Sequence, residues 1–98
     1  MPQPQPLKGR WAPVTRDAVI AAITEFDTIG RAAFLARYGF APAARFLLTY
    51  GGGEYDSKAL LGAAYGHATG TPLAANEFSG GTAGAAGVLR RLGFDVTG

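Results

Sequence analysis

Three consecutive polar residues, Asp56, Ser57 and Lys58, stand where a β-prone run changes into a helical pattern. Asp56 or Ser57 occupies the position of a helix N-cap, where a short side-chain oxygen accepts an otherwise unpaired backbone N–H. Lys58 follows in the first turn, where a cation is mildly unfavourable because it faces the positive end of the helix dipole. A lysine at this position is therefore either solvated or directed at an anion that the same N–H groups attract.

A second polar segment, Ser79-Gly80-Gly81-Thr82, precedes the last helical pattern. Its glycines let the backbone approach a ligand closely, and the N–H groups at a helix start favour negative charge. If both helix starts face the same side of the molecule, they form a shallow surface for phosphate groups. Ordinary helix capping accounts for the same residues, because nearly every helix needs such groups. The sequence alone leaves both interpretations open.

Residue types suited to catalysis or metal binding are scarce. His67 is the only histidine and cysteine is absent, so the chain lacks the ligands of a usual zinc site. Glu54 and Asp56 flank Tyr55 and share one face of a strand, where two carboxylates either bind a metal or solubilise a hairpin edge. No nucleophile stands beside a suitable base. We therefore expect no active site and no cofactor, and we expect His67 to be structural or on the surface.

Composition is typical of one folded domain. The 98 residues are 48% hydrophobic and 16% charged, which is far from the composition of disordered chains. Nine Lys and Arg residues against seven Asp and Glu give a net charge of +2, a weak basic bias that is compatible with a polyanionic partner. No apolar run approaches the roughly 18 residues of a membrane span, and the Pro/Gln-rich start lacks the apolar centre of a signal peptide. We expect a cytoplasmic protein.

Local signals predict an α+β fold of about four short helices packed on a small antiparallel sheet. The helices are expected at residues 16–28 with Thr15 as N-cap, at 31–38 with Gly39 as C-cap, at 58–68, and from the segment 79–82 to about residue 92. The sheet is expected to combine a glycine-tipped hairpin, with strands at 46–50 and 54–55, and a C-terminal strand at 94–96.

The domain organisation is predicted as a flexible, proline-rich arm at residues 1–13 and a single compact domain at residues 14–98. Trp11 lies in the arm and either docks on the domain or is offered to a partner. Gly81, Gly84 and Gly87 recur at every third position. Since neither a P-loop nor a dinucleotide-binding glycine motif is present, we interpret them as small residues that let the last helix pack closely.

Four short motifs carry a family resemblance. They are Tyr38-Gly39-Phe40, the run at residues 54–59, Phe78-Ser79-Gly80-Gly81, and residues 89–94. Their succession, over about residues 14–96, resembles the amino-terminal head domain of McrA-like, modification-dependent HNH endonucleases. These type IV restriction enzymes cut foreign DNA that carries modified bases or phosphorothioate linkages. In that family, separate modules recognise bases and sulfur and carry the nuclease.

The resemblance implies an accessory, DNA-contacting or module-organising role without nuclease activity of its own. The implied partner is double-stranded DNA, with methylated or phosphorothioated duplexes as candidates. Lys58 would pair with a phosphate, Ser57 and Thr82 would donate hydroxyl hydrogen bonds, and the glycines would donate backbone amides. The full predicted contact set is Arg45, Tyr55, Ser57, Lys58, Ser79, Gly80, Gly81 and Thr82. Tyr55 could stack on a base, bond to a phosphate or belong to the core.

The competing interpretation is a protein-interaction or dimerisation module that does not bind DNA. Its partner would be a second copy of the chain or another module of a larger endonuclease. Exposed apolar surface around Trp11, Tyr50 or Tyr65 would favour this interpretation.

Overall fold

The computed structural model describes Leu7 and residues 9–98, and within them the chain forms four α-helices and three β-strands. The helices are α1 (Arg16–Ile29), α2 (Arg31–Tyr38), α3 (Ser57–Thr69) and α4 (Ala85–Arg91). The strands are β1 (Leu47–Tyr50), β2 (Gly53–Asp56) and β3 (Asp95–Val96). The predicted α+β class is confirmed. No helix in the described part of the chain has the length and hydropathy of a membrane span.

The sheet is antiparallel, with β1 in the centre and β2 and β3 at its two edges. Leu48 of β1 faces Tyr55 on one side and Val96 on the other, and all three side chains are buried. Gly51 and Gly52 both have positive φ, at 58° and 85°, as a tight two-residue hairpin turn requires. The predicted hairpin and its returning C-terminal strand are confirmed. Strand β2 leads directly into α3 without a loop.

The ends of the first two helices follow from local chemistry. Thr15 Oγ1 accepts the backbone N–H of Ala18 at 3.1 Å, which satisfies one of the unpaired amides at the start of α1. Gly39 ends α2 in the left-handed conformation, with φ 75°. The amides of Gly39 and Phe40 both donate to the Leu35 carbonyl, so Phe40 folds back and is buried. These predicted caps are confirmed.

Helix α3 lies at the centre of the fold. Its residues from Ala59 to Ala64 are buried, including Leu60 and Leu61, and it packs against α1, α2 and α4. The last turn of α3 extends beyond the packed layer and is exposed.

The predicted start of the last helix is wrong. Helix α4 begins at Ala85, and residues 79–84 form a non-helical turn. The amides of Ala85 and Ala86 donate to the carbonyls of Ser79 and Gly80, at 2.9 and 3.3 Å. The first amides of α4 are therefore bonded to the preceding backbone and are not open to an anion.

Two glycines of the predicted close-packing series allow this arrangement. A Cβ atom on Gly84 would overlap the Ser79 carbonyl, and one on Gly87 would overlap the Thr82 carbonyl. Gly81, by contrast, has open space around the position of a Cβ. The interpretation of Gly84 and Gly87 as residues for close packing is confirmed.

Part of the predicted arm packs on the domain. Trp11 meets the rings of Tyr65 and Phe78 edge-on, with centroids 6.0 and 5.4 Å away. Arg10 donates to the Glu77 carbonyl at 2.6 Å, and Leu7 is buried. Trp11 therefore docks on the domain. Residues 1–6 and 8 of the predicted flexible arm lie outside the described residues, and the division at residue 13 stays a prediction.

We predict that Gly84→Ala destabilises the protein, because its methyl group would push the Ser79 carbonyl away from α4. The expected loss is about 2 kcal/mol of unfolding free energy, or roughly 10 °C in thermal midpoint for a domain of this size. Gly81→Ala is the matched control and should be neutral or slightly stabilising, since its methyl group meets nothing. Equal midpoints for the two variants in thermal denaturation would contradict this packing.

Candidate nucleic-acid interface

Asp56 joins three segments of the chain at the start of α3. Its carboxylate accepts two hydrogen bonds from Arg31, at 2.8 and 2.7 Å, and one from the Ala43 amide, at 2.7 Å. The residue is only 2% exposed. Asp56 stands at the N-cap position, as the sequence suggested, but its side chain makes no capping hydrogen bond to α3. The physical reason is that both carboxylate oxygens are committed to Arg31 and Ala43.

These bonds keep Asp56 ionised although it is buried. Burial by itself raises the pKa of the carboxyl group, but the Arg31 guanidinium and the Ala43 amide outweigh it and hold the pKa below its usual value. Glu54, its neighbour on the strand, is exposed. The two carboxylates therefore do not form a pair, and no group of three acidic or histidine side chains among the described residues could hold a metal ion.

The first turn of α3 is left without a side-chain cap, and Ser57 is its first residue. Ser57 is only 1% exposed, yet its hydroxyl makes no hydrogen bond to any described residue. No fully enclosed side-chain oxygen or nitrogen is left unpaired in this part of the chain. We infer that the Ser57 hydroxyl reaches the adjoining cleft.

That cleft has a volume of about 250 Å³ and lies in front of the first turn of α3. Its lining includes the segment from Phe40 to Ala43, together with Phe46, Ala75 and Gly80. Four of the eight predicted contact residues line it, namely Arg45, Ser57, Lys58 and Gly80. We call this space the α3 cleft. The structure thus brings Arg45 and Lys58, which lie 13 positions apart in the sequence, to the same cleft.

Lys58 has a structural contact as well as access to the cleft. Its ammonium donates to the Ala75 carbonyl at 2.6 Å and lies 5.4 Å from the centre of the Phe78 ring. A Cβ atom on Gly80 would rest on its alkyl chain. An ammonium has three N–H donors, so two remain for an anion or water.

Arg45 is exposed at the rim of the cleft. It donates to the Gly98 carbonyl at 3.2 Å, and its guanidinium lies 5.0 Å from the centre of the Phe46 ring. Phe46 has φ 59° and is the single non-glycine residue with positive φ in the described part of the chain. Such a conformation costs a bulky residue of order 1–3 kcal/mol and is often found at functional sites. The strained residue here forms part of the cleft wall.

The other predicted contact residues lie elsewhere. Tyr55 is 5% exposed, and its hydroxyl donates to the Asp27 carboxylate at 2.8 Å. Burial, with this hydrogen bond, raises the pKa of Tyr55. Of the roles considered for Tyr55, core packing is the one seen. Ser79, Gly81 and Thr82 belong to the turn before α4 and do not line the cleft, so a DNA contact by them stays a prediction.

Several other cationic side chains hydrogen-bond to groups within the domain. Arg16 donates to the Leu92 carbonyl at 3.0 Å, and Arg90 donates to the Val96 carbonyl at 2.7 Å. Together with Arg10 and Arg31, these side chains are already hydrogen-bonded inside the domain. Fewer cationic side chains are therefore available for phosphate groups than the nine Lys and Arg residues of the sequence suggest.

A polar cluster around Glu25 joins α1, α2 and α3 on another part of the surface. Glu25 accepts a hydrogen bond from the Tyr38 hydroxyl at 2.7 Å, pairs with Arg37 and lies 3.0 Å from His67 Nε2. Burial, together with the ionised Glu25, raises the pKa of Tyr38 to about 12. His67 thus has the structural role that the sequence suggested.

Sequence reasoning missed the partners of Asp56. Arg31 lies 25 residues from Asp56, and no local pattern connects them. The position of Phe40 in the wall of the cleft likewise has no local signal in the sequence.

The comparison with known families identifies one match. The model of the family described as "ScoMcrA-like, N-terminal head domain" matches residues 12–98. This span contains all the helices and strands given above and every residue of the α3 cleft. Searches of curated proteins and of solved structures found no match.

We predict that Asp56→Asn lowers the free energy of unfolding by about 2 kcal/mol at pH 7, because it removes a buried charge partner and turns an N–H toward Arg31. The folded-state pKa of Asp56 is lowered, so its contribution is present above the unfolded-state value near 3.8 and is lost as the pH falls through the folded-state value. Urea unfolding of the variant should therefore show a weaker loss of stability on acidification.

Glu54→Gln is the control for this experiment, because it changes the charge equally at an exposed position on the same strand. It should leave both the stability at pH 7 and the acid dependence close to those of the unmodified protein. If Asp56→Asn behaves like Glu54→Gln, the buried carboxylate does not hold the start of α3.

Proposed function

Since the chain belongs to the family of ScoMcrA-like N-terminal head domains, we propose that it binds DNA through phosphate groups at the start of α3. It would do so as an accessory domain of a restriction system and would not cut DNA itself. The observation that carries this proposal is the meeting of Arg45, Ser57, Lys58 and Gly80 around an uncapped helix start. The proposal implies a cytoplasmic location, where the DNA is.

The charges around the α3 cleft favour an anion. Among the described residues that line it, Asp56 is the one acidic residue, and Arg31 neutralises that carboxylate through two hydrogen bonds. Arg45 and Lys58 then remain as positive charges, and the first-turn amides of α3 add the positive end of the helix dipole. Charge-assisted hydrogen bonds to phosphate are stronger than those between neutral groups. A phosphate oxygen is therefore a suitable acceptor for this set of donors.

Binding by the domain alone should be weak. The net charge is only +2, and Arg10, Arg16, Arg31 and Arg90 are used inside the fold. Each neutralised phosphate contributes roughly 0.9 to the slope of log affinity against log salt, so two or three contacts give a shallow slope. This suits an accessory domain whose affinity is supplemented by other DNA-binding modules.

An interaction module without DNA binding has less support. It requires exposed apolar surface, but Trp11 and Tyr65 are partly buried against each other. Among the described residues, Tyr50 is the single large hydrophobic residue on the exposed surface, with 37% of its area accessible to solvent. One aromatic residue does not form a patch of the size that marks protein interfaces.

The proposal is tested by fluorescence anisotropy with labelled duplexes at low and moderate salt. Lys58→Gln combined with Arg45→Gln should weaken binding and reduce the salt slope by roughly 2, because two phosphate contacts are lost. Glutamine retains a donor for the Ala75 carbonyl, and thermal denaturation checks that the variant is folded. Unmodified, hemimethylated, fully methylated and phosphorothioated duplexes should be compared, since a preference among them would identify the modification that is recognised.

The matched control changes a charge away from the cleft. Arg91→Gln removes one positive charge at the exposed end of α4. It is compared with the single variant Lys58→Gln, which removes one positive charge at the cleft. Arg91→Gln should leave affinity nearly unchanged. Equal weakening by the two single variants would mean that general charge, and not the α3 cleft, attracts DNA. Absence of binding to every duplex at low salt would contradict the proposed function.

A further inference from the structure

The walls of the α3 cleft are mostly apolar, which a site for phosphate alone does not require. Phe40, Pro42 and Phe46 form much of one side, and Ala59 and Ala75 contribute elsewhere. The volume of about 250 Å³ is below the range of roughly 300–1,000 Å³ that is usual for sites of drug-sized ligands. The cleft therefore suits one small unit that has both an apolar part and an anionic part.

We propose that the α3 cleft accepts a single unpaired nucleotide of DNA. Its phosphate would lie against the first turn of α3, beside Lys58 and Arg45, and its base would pack on the apolar wall formed by Phe40 and Phe46. This inference rests on the proposed function and adds the kind of DNA that the site prefers. In a regular duplex both faces of a base are covered by stacking, whereas an unpaired base offers a face to apolar and aromatic side chains.

Ser57 supplies an observation that is independent of the helix dipole. Its side chain is almost completely buried, lines the cleft and has no hydrogen-bond partner among the described residues. Since no fully enclosed side-chain oxygen in the described residues lacks a partner, this hydroxyl meets the water of the cleft, and a bound group that replaces this water must supply a hydrogen-bond partner. A phosphate or a sugar oxygen of the nucleotide would provide that partner.

The conformation of Phe46 gives further support. Its positive φ places a bulky side chain in a strained backbone region, next to the exposed Arg45. The ring is held on its other side by the chain end at Gly98, where an added Cβ would overlap it. Arg45 and Gly98 therefore hold the ring in place as part of the apolar wall against which a base would pack.

The test compares four labelled oligonucleotides of matched length in anisotropy titrations of the 98-residue protein. They are a blunt duplex, the same duplex with one unpaired nucleotide, a single strand, and a single strand with abasic sites. We expect the base-containing single strand and the bulged duplex to bind about tenfold more tightly than the blunt duplex, the size of one base–aromatic contact. The abasic strand should lose that advantage.

Two variants with the same side chain added at neighbouring positions locate the effect. Ala41→Phe fills the cleft from its wall and should remove the preference for unpaired nucleotides. Ala44→Phe adds the same ring at an exposed position that does not line the cleft and should keep the preference. Thermal denaturation of both variants confirms that they are folded.

The outcomes separate this inference from the proposed function. Equal affinity for duplex, single-stranded and abasic DNA, with salt-sensitive binding retained, would overturn the nucleotide site and leave phosphate binding intact. A preference for unpaired DNA that survives in Ala41→Phe would also overturn it. If the unmodified protein binds none of the four oligonucleotides, the proposed function itself is contradicted.

Discussion

The buried carboxylate of Asp56 determines where the first turn of α3 lies relative to the rest of the molecule. Arg31 at the start of α2 and the amide of Ala43 both bond to it. Because the two carboxylate oxygens are used in this way, the amides of α3 receive no side-chain cap. One interaction therefore fixes three segments and leaves a helix start open. The proposed DNA contact depends on both consequences.

The α3 cleft is a product of tertiary structure and is built from several elements. Gly39 turns the chain so that Phe40 is buried, the next residues cross in front of α3, and Gly80 approaches from the turn before α4. Lys58 ties the segment that precedes this turn to α3 through the Ala75 carbonyl. Its ammonium therefore stays near the cleft, because the same hydrogen bond that stabilises the fold restricts its position. A cation that is held in place loses less entropy when it binds an anion.

The sequence was sufficient where a feature depends on near neighbours. Thr15, Gly39 and the two turn glycines Gly51 and Gly52 act within a few residues, so they predicted the helix ends, the hairpin and the α+β class correctly. It was insufficient where a distant partner decides the outcome. The local pattern predicted a side-chain cap at Asp56 or Ser57, but the oxygens of Asp56 bond to Arg31 and Ala43 instead. The same kind of pattern predicted a helix start at residues 79–82, whereas carbonyls of this segment accept the first amides of α4. Arg45 and Lys58 both line the cleft, and no local pattern in the sequence predicts that they lie close together.

The central claim is that a nucleic-acid phosphate binds at the open start of α3. We would test it by recording amide chemical shifts of the ¹⁵N-labelled protein during titration with a short single-stranded oligonucleotide. The account predicts that the largest shift changes occur at Ser57, Lys58, Ala59 and Gly80, with little change at the hairpin tip. If the largest changes instead cluster at the hairpin tip or along α4, or if no amide shifts at saturating oligonucleotide, the account is contradicted.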